Sequence, residues 1–358
     1  LYESAQGYRN LTEKFYYSID DFKWNGDGSR IYFLATIEAT KQIFVLDVKS
    51  LRITQLTTGD HDYTSIAVSG DKIVATRNTM IQPADLYLID YSQNKAGKVF
   101  TSIARVTKVN PEWEKLDLPT VEKHWVTTSD QKKMLVWMVI PPNAIKEKEN
   151  PALLYCQGGP QSAVSQFFSY RWNLCLMASQ GYVVVAPNRR GLPGFGQEWN
   201  DAISGDWGGQ PMRDYLAATD YAKELPYVNG DKMGAIGASY GGYSVYMLAG
   251  IHEKRFKTFI SHCGLFNLES WYGTTEELFF ANWEHGGPYW LQENKEGYAK
   301  NSPHNYVANW DTPMLVIHGG VDFRVPESEG MQAFQAAKLK GLKSKFLYFP
   351  KEGHWVVK

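Results

Sequence analysis

Read as hydrophobic and polar positions, the chain changes its grammar about a third of the way along. Residues 1 to about 108 consist of short alternating or β-branched runs, RIYFLA, IFVLD, KIVATR and LYLID among them, parted by turn signals such as Asn25-Gly26-Asp27-Gly28. Runs of this length and period predict strands. Ile31 in the first run falls 42 residues before Ile73 in the third, and Asp47 falls 43 before Asp90. A repeat of about 40–45 residues carrying four short strands is the spacing of one β-propeller blade. Two similar β-meanders at a chance spacing would read the same way. About two such units fit into residues 1–108, whereas a closed propeller takes roughly 4–8. The region is therefore expected to be a partial β-propeller whose other blades are absent from this chain.

From about residue 121 the pattern is different. VEKHWVTTSD and KMLVWMVIPP predict a pair of antiparallel strands, and β and α patterns alternate after them. Strands are expected at 152–156, 182–187, 233–237, FKTFISHC, MLVIHGG and KFLYFP. Helices are expected at 163–179, 212–225, from the end of 233–237 to about 251, and 326–340. The 212–225 helix aligns Met212, Tyr215, Leu216, Thr219, Ala222 and Leu225 on one face. Such alternation predicts an α/β domain over 109–358, a mostly parallel sheet with helices on both faces. Residues 266–305, rich in Trp, Tyr, Phe, Asn and Gly, interrupt it as an excursion over the carboxyl edge, where open α/β sheets carry their sites.

The chemistry enters at Gly237-Ala238-Ser239-Tyr240-Gly241, which matches G-x-S-x-G between a predicted strand and a predicted helix. That context is the nucleophile elbow of the α/β-hydrolase fold: a turn too tight for flanking side chains, with the serine held at its tip. A serine hydroxyl needs a base to take its proton, and in this fold an acid and then the base follow the serine in chain order. Asp322, just past MLVIHGG, and His354, just past KFLYFP, occupy loops at strand carboxyl ends. The expected triad is Ser239, Asp322 and His354, with Asp322 fixing the tautomer of His354. His262 and His318 lie in or at the ends of strands and read as core or supporting histidines. Glu327 and Glu329 sit on the following helix rather than in the loop. For the oxyanion, the main-chain N–H of Tyr240 is one expected donor. Gly159, in Gln157-Gly158-Gly159-Pro160, is the other, although a plain turn would use the same glycines.

Composition narrows the partners. Of 358 residues, 44% are hydrophobic and 21% charged, with a formal net charge of -1, which fits a globular fold and supplies no basic face for nucleic acid. No apolar run reaches the roughly 18–20 residues that span a bilayer. The three cysteines, Cys156, Cys175 and Cys263, form neither a disulfide framework nor a metal cluster by spacing, and neither metal nor cofactor is expected. The chain opens on Leu1 rather than Met, which is the expectation for a fragment or a processed product.

Taken together, GASYGGYSVYMLAG, HGGVDFRVP, FPKEGHW, QGGP and APNRRGLPGFG resemble the prolyl oligopeptidase family of serine peptidases, over residues 121–358. The resemblance implies an amino-terminal β-propeller capping an α/β-hydrolase domain, with blades missing before Leu1 and a terminal helix missing after Lys358. It implies a serine exopeptidase that releases dipeptides with a small or hydrophobic P1 residue from short peptides. An acylaminoacyl peptidase or esterase with the same triad is the alternative, and an inactive propeller-hydrolase binding protein a further one. The family's proline-directed branch carries a tyrosine at the position of Gln157, so a tyrosyl oxyanion donor is not expected. By loose correspondence Phe266, Leu268, Trp271 and Tyr272 would wall the S1 pocket, although ordinary core residues would look the same. Arg189 and Arg190 would either orient a peptide carbonyl or serve as structural ion-pair partners. A homodimer stays open, and bacterial relatives imply a periplasmic location, with the cytoplasm as the alternative.

Overall fold

In the computed structural model, which describes residues 2–4, 7–70, 72–93, 99–144 and 149–357, the runs of the first third are strands. Leu1 and Lys358, on which the expectations about missing chain rest, lie outside those residues. Strands β1 (Tyr2–Ser4) and β2 (Tyr8–Asn10) form a small antiparallel pair. β3 (Ile19–Trp24), β4 (Arg30–Ile37), β5 (Thr40–Asp47) and β6 (Ile53–Gln55) follow as one antiparallel meander. β7 (Asp62–Ser69), β8 (Lys72–Thr79), β9 (Gln82–Gln93) and β10 (Val99–Arg105) make a second. The 42-residue offset sets second strand on second strand, since Ile31 lies at the start of β4 and Ile73 at the start of β8.

The two meanders differ in burial, and their sequences already differ in the same sense. β4 is buried at every position from Ile31 to Thr36, so both of its faces are covered. Tyr32 and Leu34 join Ile43, Val45, Ile66, Ile73, Ala75 and Ile89 in one core, while Ile31, Phe33 and Ala35 join Leu11, Phe44 and Leu46 in another. A strand packed on both faces needs a continuous apolar run, and RIYFLATI supplies it. KIVATR alternates because β8 turns Ile73 and Ala75 inward and leaves Val74 38% exposed.

The chain parts into two compact units. The first is Leu1–Leu118 with Ala163–Cys175 and Pro193–Gln197, so the division expected after 108 falls later, and two stretches of the second half belong with the first. This bears on the helix expected at 163–179, of which only α1 (Leu174–Ser179) forms. Upstream of it the main chain is bonded sideways instead. Gln166 N–H donates to Asp62 and its carbonyl accepts from the Asn78 side chain at 2.8 Å, while the Ser165 hydroxyl donates to Asp62. Backbone groups committed to side chains in this way are lost to a helical ladder.

The second unit is built on one eight-stranded sheet, order β11-β12-β14-β13-β15-β16-β17-β18. β11 (Thr120–Thr127) and β12 (Lys133–Ile140) form the expected antiparallel pair, and β12 is also antiparallel to β14 (Val183–Pro187). β13 (Asn150–Cys156), β15 (Val228–Ala238), β16 (Thr258–His262), β17 (Met314–Gly319) and β18 (Ser344–Phe349) run parallel with β14. After α2 (Gln197–Asp201) come α3 (Gln210–Lys223), α4 (Tyr240–Ile251) and the excursion expected at 266–305. That excursion holds α5 (Leu268–Tyr272), α6 (Leu278–His285) and α7 (Lys295–Asn301), and α8 (Glu327–Leu339) follows β17. On α3 the expected face is buried at Met212, Tyr215, Thr219 and Ala222, with Leu216 and Leu225 only partly covered. No helix among the described residues is long and apolar enough to cross a membrane.

The unequal burial has a measurable consequence. Leu34→Ala, in the core of the first unit, is expected to cost about 2–5 kcal/mol. Val74→Ala, on the open face of β8, should stay within about 0.5 kcal/mol of wild type. Urea denaturation of the two variants checks this, and equal costs would contradict the one-faced packing of β8.

Candidate active site

Strand β15 ends at Ala238, α4 begins at Tyr240, and Ser239 between them has φ 60° and ψ -124°. For a residue with a Cβ this conformation costs about 1–3 kcal/mol and persists only where the surroundings impose it. Here the Ser239 N–H donates to the His262 carbonyl at 2.9 Å, and the Ser239 carbonyl accepts from the Tyr243 N–H at 2.9 Å. The motif's glycines stand where main chain passes main chain. A Cβ on Gly237 would meet the Cys156 carbonyl oxygen at 2.7 Å, and one on Gly241 would collide with that same oxygen. A Cβ on Gly242 would meet the Cα of Gly264 at 2.7 Å. α4 is buried from Tyr240 to Gly250, as a helix apolar all round must be.

Asp322 and His354 come together as their loops predict. The His354 Nδ1–H donates to Asp322 Oδ2 at 2.7 Å, which leaves Nε2 as the basic nitrogen. The other carboxylate oxygen, Oδ1, accepts from the N–H groups of Arg324 at 3.1 Å and Val325 at 2.9 Å. Burial pushes the Asp322 carboxyl up, but the bond and charge of His354, the Val325 N–H and nearby His318 outweigh it and hold the group below the usual carboxylate range. The two loops are stitched by main chain: Val321 N–H donates to the Glu352 carbonyl at 3.0 Å and Gly320 N–H to the Phe349 carbonyl at 2.8 Å. Gly319 permits this approach, since a Cβ there would meet the Gly353 carbonyl oxygen at 2.6 Å.

The Gln157–Pro160 loop leaves β13 beside the elbow. A Cβ on Gly158 would lie 3.6 Å from the Ser239 Cβ and 2.9 Å from the Ala238 carbonyl oxygen. Gly159 is exposed, has φ +121° and precedes a cis peptide bond to Pro160. Further along, Gln161 donates from its amide to buried Glu284 at 3.1 Å, and Glu284 also accepts the Trp207 indole N–H at 2.9 Å. Cys263, His318 and Asp322 bring one donor atom each within 4.8 Å of one another, a set that could hold a metal ion. His318 Nε2 donates to the Val325 carbonyl at 2.8 Å, and Asp322 Oδ2 accepts from His354.

The model of the prolyl oligopeptidase family matches residues 168–358. The chain belongs to the prolyl oligopeptidase family. It is 51% identical over 351 residues to the dipeptidyl-peptidase 5 of Porphyromonas gingivalis, covering 97% of this chain and 50% of that protein. It is 48% identical over 330 residues to the dipeptidyl-peptidase 5 of Porphyromonas endodontalis, covering 91% and 47%. The chain thus spans about half the length of these curated relatives. Among solved structures, the acylaminoacyl peptidase of Pyrococcus horikoshii superposes with a TM-score of 0.84 at 22% identity, over 99% of this chain and 54% of that one. The second unit has the α/β-hydrolase fold.

In this family member the four residues expected to wall S1 are all buried, and they divide between two neighbourhoods. Phe266 packs its ring on Tyr246, Trp310 and His304, and Leu268 has no exposed surface. Trp271 and Tyr272 belong to an aromatic cluster. Trp271 packs on Trp207, whose own ring stands 5.1 Å from that of Tyr240, and Tyr272 packs on Tyr289, Trp290 and Tyr298.

The two arginines of NRRG have different partners. Arg190 pairs with Asp130 and Asp214, and Arg189 binds main-chain carbonyls. Glu329, passed over because it lies on a helix, is buried and accepts the N–H groups of Phe266 at 2.9 Å and Asn267 at 2.7 Å. Burial pushes its carboxyl up, against the pull of those bonds. The signal for it was a glutamate in register with Gly330, Ala333 and Ala337 on the buried side of α8.

Gly241→Ala is expected to lower stability by at least about 1–3 kcal/mol through main-chain collision, whereas a helix-interior Gly→Ala normally stabilises. A raised melting temperature would contradict the close approach. Because the folded Asp322 has a depressed pKa, its contribution is fully present above the unfolded value near 4 and lost as pH falls through the folded one. The stability gap between wild type and Asp322→Asn should therefore be wide at pH 6 and shrink below pH 4, as measured by urea denaturation across that range.

Proposed function

We propose that this chain is the catalytic part of a serine exopeptidase that releases dipeptides from the amino terminus of short peptides. Ser239 attacks the scissile carbonyl, His354 takes its proton and returns it to the leaving amine, and Asp322 holds the His354 tautomer and balances the imidazolium. The N–H groups of Tyr240 and Gly159 receive the oxyanion, and water then resolves the acyl-enzyme. Two observations carry this reading together: the 2.7 Å bond from His354 Nδ1 to a carboxylate that keeps its charge, and an elbow that strains a serine. Tyr240 opens α4, and the first amides of a helix have no partner within it, which supports its role as a donor.

Dipeptide release is supported by the curated names of the Porphyromonas relatives. A small or apolar P1 preference is supported by the aromatic cluster of Trp207 and Trp271 beside Tyr240. For the first unit we read two blades of a β-propeller, on the strength of two four-stranded meanders repeating at 42 residues.

Ser239→Ala should lower kcat/KM of the full-length protein by about four to six orders of magnitude without loss of fold. Activity near wild type would overturn the mechanism. Turnover of dipeptidyl amides with a free amine, set against their N-acetylated counterparts, tests the substrate class. Preference for the free amine is expected, and preference for the blocked form would move the activity to acyl-peptide or ester hydrolysis by the same triad.

A further inference from the structure

Arg189 is a fully buried cation, 0% exposed, and among the described residues no carboxylate lies within ion-pair distance of it. Its neighbour Arg190 takes both nearby acids, Asp130 and Asp214. Burying a charge without a counter-charge is unfavourable unless hydrogen bonds satisfy it. What Arg189 has instead is main chain. Its guanidinium donates to the carbonyls of Pro160 at 3.1 Å, Arg190 at 2.7 Å and Gln157 at 3.3 Å, and Nε donates to the Tyr215 hydroxyl at 3.1 Å. Gln157 and Pro160 are the two ends of the loop whose middle is Gly158-Gly159. The guanidinium carbon also stands over the Tyr240 ring, 4.5 Å from its centre. One side chain thus grips both ends of one strip of main chain and packs on the residue that supplies the other N–H.

We propose that Arg189 is the positioning residue of the oxyanion site. It rests on the reading of Gly159 and Tyr240 as donors and deepens it. By holding the carbonyls of Gln157 and Pro160, Arg189 fixes both ends of the strip of main chain that carries the N–H of Gly159. The uncompensated positive charge beneath the loop favours the negative charge that develops on the substrate oxygen over the neutral carbonyl of the ground state. A planar fork with donors in fixed directions is needed to hold two carbonyls at once, which is why an arginine stands there rather than a lysine.

The test uses the full-length protein, with Arg189→Met to remove charge and fork and Arg189→Lys to keep the charge alone. Two affinities are read beside kcat and KM. One is for a peptide boronic acid, which forms an anionic tetrahedral adduct on Ser239; the other is for the product dipeptide, which does not. The expected result for Arg189→Met is a fall of about 10- to 100-fold in kcat with KM within about twofold. Boronate affinity should fall in parallel and product affinity should hold, with Arg189→Lys in between. If Arg189→Met does not fold, Arg189→Lys decides by the same ratio. Equal losses of boronate and product affinity, or no loss of either, would overturn the proposal. Labelling of Ser239 by a fluorophosphonate in wild type keeps the two readings apart, because its absence would remove the serine mechanism itself, not the role of Arg189 alone.

Discussion

At Gly241 the main chain of α4 passes so near the end of β13 that a single methyl group would strike the carbonyl oxygen of Cys156. The arrangement around Ser239 follows from that approach. Once α4 is seated there, with Gly242 against Gly264 on the other side, the chain can enter it from β15 only through a reversal that Ser239 must absorb at positive φ. The seating also brings the loop after β13 to the elbow, with Gly158 against Ala238 and Ser239. The same device recurs where Gly319 lets the Asp322 loop touch the chain leading to His354. Side chains are absent from these contacts because backbone fills the space, so relaxing any one of them would shift a functional group.

Such loops carry peptide groups that no strand or helix pairs, and burying them unpaired is unfavourable. In this domain charged side chains take that task. Arg189 collects carbonyls, Glu329 collects the amides of Phe266 and Asn267, and Asp322 collects those of Arg324 and Val325 while keeping one oxygen for His354. The inside of the sheet needs no such help, since Val184 and Val185 are buried and paired by the ladder on both sides. Charge therefore gathers at the carboxyl edge for a structural reason before any chemical one, and the chemistry draws on it.

This division also sets what could be read from the residues alone. Strand and helix periods depend on which faces are covered, so RIYFLATI, KIVATR and the β/α alternation were legible, as was the elbow, whose glycines answer a steric demand with a fixed spacing. The stretch before α1 was not: its composition permits a helix, and only Asp62 and Asn78, 104 and 88 residues before Gln166, draw its backbone groups elsewhere. Phe266 and Leu268 illustrate a second limit. An aromatic or aliphatic side chain after a strand has the same pattern whether it faces a pocket or the core, and that pattern alone does not reveal the packing of Phe266 on Tyr246 and Trp310. Arg189 and Arg190 look equivalent in sequence, and only the positions of Asp130 and Asp214 separate them.

The choice between two histidines shows how geometry resolves what spacing leaves open. Both His318 and His354 reach Asp322, His318 at 3.8 Å and His354 at 2.7 Å. His318 is wholly buried, its Nε2–H is given to the Val325 carbonyl, and burial pulls its pKa down despite that bond and the nearby carboxylate, so it stays neutral with its proton committed. A base must instead acquire charge during turnover, which requires a carboxylate at its other nitrogen and some access to the reacting groups. His354, on a loop and with part of its side chain exposed, meets the first condition by its bond to Asp322 and retains the freedom for the second. His318 has a different use: by holding the Val325 carbonyl while the Val325 N–H holds Asp322, it keeps the acid loop in the one conformation that aims the carboxylate at His354.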